Sequence, residues 1–218
     1  MVKLIERKKI FENYKTIASE ISMIQEVSFD NEIYLEIECE KEKMEYEKYS
    51  VKYDIKVLSA KYNEIKTFPK FLYGLLLKLC EEIDINELFI LTDLKIDYYG
   101  SLFNKFKPLV KAYKQLEKIT GKKYYDEAFY LTKLSEEIVD IIFWLSRCSP
   151  QMNNIIFFDK MERFYFSICQ YGNIHMTGLG GNTISENIIK KLGLTIIEGR
   201  ETDNFTNDGK INGRRIKV

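Results

Sequence analysis

Residues 154–197 constrain the fold more than any other stretch, because signals for strand, reversal, glycine loop, helix start and strand follow one another without a gap. From Arg163 to Cys169, Phe164, Phe166 and Ile168 fall on one side of a period-2 alternation, while Tyr165, Ser167 and Cys169 fall on the other. This is the pattern of a strand with one face buried. Tyr171-Gly172-Asn173 reverses the chain into a second strand holding Ile174, His175, Met176 and Thr177. Strands joined by so short a turn pair antiparallel. Gly178-Leu179-Gly180-Gly181-Asn182 follows, then Thr183-Ile184-Ser185-Glu186, where Thr183 and Glu186 have the spacing of a capping box.

The rest of the chain alternates helical and strand patterns. Leu4, Ile5, Ile10, Phe11, Tyr14, Ile17, Ala18, Ile21 and Ile24 recur at helical spacing, which predicts one long amphipathic helix over 3–26. Ile33, Leu35, Ile37 and Cys39, and then Tyr49, Val51, Tyr53, Ile55 and Val57, alternate with polar residues, which predicts a hairpin joined through the charged run Glu40-Lys41-Glu42-Lys43. Residues 68–83 read as a central buried helix with Pro69 in its first turn, 87–92 as a short strand, and 101–120 and 124–148 as two long helices separated by Gly121. The expected class is α+β, with about five helices packed on an antiparallel sheet built from the N-terminal hairpin (33–57) and the C-terminal strands (154–177 and 194–197). One domain spans 1–218, or two lobes do (1–100 and 101–198), with a polar tail over 199–218.

At 218 residues, 45% of them hydrophobic, the chain can bury a core without disulfide or metal staples. Lys plus Arg and Asp plus Glu are both 33, so no global field draws it to nucleic acid or to an anionic membrane. Charges interrupt the N-terminus where a signal peptide needs an apolar run, and no window has the roughly 18 to 20 apolar residues of a membrane span. A soluble, cytoplasmic protein is expected. The cysteines at 39, 80, 148 and 169 match no zinc or redox spacing and read as reduced core residues.

The glycine loop is the sharpest chemical hint, since a strand, a flexible loop and a helix start can form a nest of backbone donors for an anion. Gly178, Gly180, Gly181, Asn182 and Thr183 are its candidate ligand residues, although no Lys and hydroxyl pair completes a phosphate loop and the third glycine of a dinucleotide fingerprint is missing. The bland reading is a tight connection needing positive φ. His175 is the lone histidine and the one candidate general base, with no nucleophile tied to it by a motif. No metal site and no cofactor is expected, because one histidine excludes histidine-rich sites and Asp93, Asp97, Asp159 and Asp203 stand at no ligand spacing.

Tyr165 and Tyr171, if exposed together, and Arg214 and Arg215 in the basic ending 210–218 are candidate partner contacts. The function expected first is a small protein-binding module, of the immunity or antitoxin kind, that inhibits another protein by direct contact. An enzyme or sensor taking a nucleotide or phosphorylated ligand at the loop is the alternative, and a nucleic-acid binder using the basic tail is the second.

Overall fold

A computed structural model describes residues 2–33, 54–100, 106–148, 155–199 and 201–205. Its frame is one antiparallel sheet of eight strands in the order β1-β4-β3-β5-β6-β7-β2-β8. In chain order these are β1 (Val2–Ile5), β2 (Asp54–Ala60), β3 (Leu88–Thr92), β4 (Ala128–Leu131), β5 (Ile155–Asp159), β6 (Phe164–Ile168), β7 (Ile174–Gly178) and β8 (Leu194–Ile196). Six helices accompany them among the described residues: α1 (Arg7–Asn13), α2 (Lys15–Ile33), α3 (Phe68–Glu82), α4 (Lys107–Thr120), α5 (Glu136–Cys148) and α6 (Glu186–Lys191).

The period-2 alternation gives the sheet two apolar faces. Leu58, Ile90, Phe129, Phe157, Phe166, Ile174 and Met176 belong to the larger core, with α3, α4 and α5. Phe89, Leu91, Ala128, Ile156 and Phe158 belong to a second core with Ile10 of α1 and Ile17 and Ile21 of α2. Three layers result, helix on sheet on helix. Over 155–178 the chain folds as its pattern predicts: Phe164, Phe166 and Ile168 are buried, Tyr165 and Ser167 are half-buried, and Gly172 takes φ +81° in the reversal.

Several expectations are corrected. The stretch 3–26 is a strand and two helices rather than one helix, since Val2–Ile5 pairs with β4 and the helix breaks at Tyr14 (φ −124°, ψ 90°). Glu162 Oε2 holds that break by accepting from Ile17 N (2.9 Å), while Arg7 anchors the start of α1 to the carbonyls of Thr92 and Asp93. In 124–148, Ala128–Leu131 is strand β4 and only Glu136–Cys148 is helix. Ala128 serves the second core while Phe129 and Leu131 serve the first, so both strand faces are apolar and the period is hidden. The central buried helix is α5, buried over nearly all of 138–147, rather than α3.

The N-terminal hairpin is seen only through β2, which pairs with β7 and β8; Ile33 closes α2, and 34–53 lie outside the described residues. The N- and C-terminal strands share one sheet. The helix expected over 101–120 is described over Lys107–Thr120, closed by Gly121 at φ +68°. The N-cap before α6 is Ser185, whose side chain accepts from Ile188 N, and not Thr183.

Candidate functional site

The side chains with chemical potential meet where the β6–β7 hairpin turns. Strand register sets Ser167 opposite His175, which places Cys169, two residues on, diagonally beside the imidazole on the same face. The turn itself is closed by Cys169 N donating to Asn173 O (3.0 Å) and Gly172 N to Cys169 O (3.0 Å). After β8 the chain crosses this turn as a strap, residues 201–205, and brings Glu201 onto it.

Every strap side chain described at 201 and 203–205 is used to hold it. Cys169 Sγ donates to Glu201 Oε2 (3.1 Å), and Asn173 Nδ2 donates to the same oxygen (2.8 Å). Asp203, 3% exposed, forms a bidentate pair with Arg147 (2.8 and 2.9 Å), and Arg147 also donates to Gln170 O. Asn204 donates to Asn173 Oδ1 (2.9 Å) and accepts from Ser59 (3.0 Å). Phe205 packs edge-on against Phe68 at 4.7 Å between ring centroids, under the Arg147 guanidinium. The segment read as the start of a polar tail is thus part of the packed structure.

The electrostatics follow from these contacts. Burial pushes the Cys169 thiol up to about 12, and the Glu201 carboxylate that accepts its hydrogen bond adds to the rise. Burial also works to raise Glu201, but the donors Asn173 and Cys169 and the neighbouring His175 outweigh it, and its carboxyl is lowered. Glu201 Oε1 lies 3.0 Å from His175 Nε2. That nitrogen is itself buried, and Glu201 is the charged group it faces. Among the described residues, Cys169, His175 and Glu201 form the one group of three metal-capable side chains, their ligand atoms all within 4.8 Å of one another.

The glycine loop lies at the other end of β7. Leu179 N donates to Arg163 O (2.7 Å), and Asn182 donates to Leu179 O through both its backbone and its side chain. Gly180 and Gly181 take φ +58° and +82°, and a Cβ on Gly178 would fall 1.8 Å from Asn182 O. The glycines are required by a tight turn. Helix α6, of six residues, starts from Ser185 with Thr183 in the approach to it. Tyr165 lies against Phe158 and borders the second core, and Tyr171 is half-buried. The two do not make an exposed pair. Arg214 and Arg215 lie outside the described residues.

Sequence reading singled out His175 but missed Cys169 and Glu201 as its neighbours. The Cys169 placement was legible in principle, since both residues flank one turn on one strand face. Glu201 arrives only through the strap. Comparison of the chain with protein families, with curated proteins and with solved structures finds no match. Among the described residues no helix is long and apolar enough to cross a membrane.

Proposed function

We propose that this chain acts by binding another protein in the cytoplasm, as an immunity or antitoxin-like protein that inhibits its partner by direct contact, and not by catalysis. The observation that supports this most is the way the reactive side chains are committed. Glu201 stands between the Cys169 thiol and the His175 imidazole and accepts a hydrogen bond from the thiol, which is held up at about 12. A nucleophilic cysteine needs the reverse, an imidazole against sulfur and a lowered thiol pKa. For the contact surface, Ile55 is 58% exposed on the sheet face it shares with Tyr165 and Thr177, which register places side by side. A partner that docks on this face would meet an apolar side chain at Ile55, so its own matching surface is neutral and apolar.

The test is purification of the tagged chain from its native host, followed by identification of what comes with it and by an Ile55→Asp variant. A single stoichiometric protein lost from Ile55→Asp supports the reading. A nucleotide or phosphorylated compound with no protein moves the function to the 178–186 loop. A complex indifferent to Ile55→Asp removes this surface.

A further inference from the structure

We propose that Cys169, His175 and Glu201 bind a divalent, thiol-seeking metal ion of the zinc class, which fastens the C-terminal strap to the β6–β7 hairpin. This stands apart from the partner-binding reading.

Three observations carry it. The first is the donor set: one sulfur, one ring nitrogen and one carboxylate, within 4.8 Å of one another. A tetrahedral zinc ion, at about 2.3 Å from sulfur and 2.0–2.1 Å from nitrogen, sets its ligand atoms roughly 3.3–3.8 Å apart. Sγ lies 3.1 Å from Oε2 and Nε2 lies 3.0 Å from Oε1, a few tenths of an ångström inside that spacing, and no two ligand atoms are more than 4.8 Å apart, so small side-chain rotations bring all three onto one ion. The second is the buried His175 Nε2, which is already turned toward the cluster, 3.0 Å from Glu201 Oε1. A ring nitrogen so placed gives its lone pair to a metal ion without turning the ring.

The third is the shell behind the cluster. Metal-binding carboxylates are themselves held by hydrogen bonds. Here Glu201 is held by Asn173, which is fully buried, Asn173 by Asn204, and Asn204 by Ser59, in a continuous chain. Tyr171 N donates to Cys169 Sγ (3.4 Å), the kind of contact that favours a thiolate.

The donors also set the class of ion. A thiolate with an imidazole suits zinc and its neighbours and is a poor match for magnesium or calcium, which take oxygen. On binding, the Cys169 S–H bond breaks, its proton passes to solvent, and the sulfur lone pair forms the bond to the metal. Three protein ligands leave one position for water. The His175 side chain is 36% exposed, which gives a route for the ion.

The experiment is titration of Co²⁺ into the full chain, purified under reducing conditions and stripped with a chelator. The expected result is one ion per chain with a thiolate-to-cobalt charge-transfer band and tetrahedral visible bands, displaced by zinc. The band disappears in Cys169→Ser and in His175→Gln, persists in Cys80→Ala, and in Asn173→Ser needs roughly 10–100-fold more metal. Zinc raises the melting temperature of the parent chain and not that of Glu201→Gln. A folded parent chain that gives no thiolate band overturns the proposal, and so does a band that survives both Cys169→Ser and His175→Gln. If Cys169→Ser fails to fold, the parent chain and His175→Gln decide.

Discussion

Gly178 is the residue at which one added methyl group does the most damage. It pairs with Phe164 on one side and Asp54 on the other, and its Cβ would fall 1.8 Å from a backbone oxygen that cannot swing away. Gly178→Ala is expected to cost about 3 kcal/mol or more in urea unfolding, at the upper end of overpacking effects. Gly181→Ala meets nothing within 4 Å, so only its φ of +82° is penalised, by about 1–2 kcal/mol. The order of the two variants checks the geometry. Asp203→Ala leaves the buried Arg147 guanidinium without its bidentate partner and is expected to lose roughly 3–5 kcal/mol by the same measurement. That the loop needs its glycines was legible in the sequence, but which of them needs space and which needs positive φ was not, because Asn182 O arrives from the far side of the turn.

At the scale of elements, the largest departures from the sequence reading are places where a distant group overrides local periodicity. Residues 3–26 have helical spacing, yet β4 recruits Val2–Ile5 as a strand and Glu162 caps the restarted helix at Ile17. Glu162 itself sits at φ +57°, in the turn between β5 and β6. Removing that side chain in Glu162→Ala is expected to cost about 1 kcal/mol, the usual worth of a capping contact, and to raise amide exchange at Ile17 before that of α3 or α5. Equal exchange at Ile17 in both proteins sinks this account of the break. Strand β4 was hidden for a different reason. With both faces buried, Ala128, Phe129 and Leu131 form an unbroken apolar run that a helix could equally use.

For the molecule as a whole, burial of ionisable groups predicts an alkaline limit to stability. Burial pushes the Cys80 thiol up to about 12 and drives the Tyr98 and Tyr125 hydroxyls upward as well. These groups stay protonated in the folded chain at pH values where the unfolded chain has begun to lose their protons. Their contribution is complete below the unfolded pKa values and declines as pH rises through about 9 to 12. Cys80→Ala should flatten the early part of that decline, measured as unfolding free energy against pH, and an unchanged slope would count against it. The sequence by itself determined the α+β class, the β6–β7 hairpin with its in-and-out alternation, the turn glycines and helix α3, because these rest on neighbours within a few residues and on the period of the backbone. The tertiary structure alone decided that β1 and β4 are strands, that the N- and C-terminal strands join in one sheet, and that Glu201 meets Cys169 and His175. Each of these depends on contacts between distant positions, brought together by burial and ion pairing such as Arg147 with Asp203, and local pattern carries no record of them.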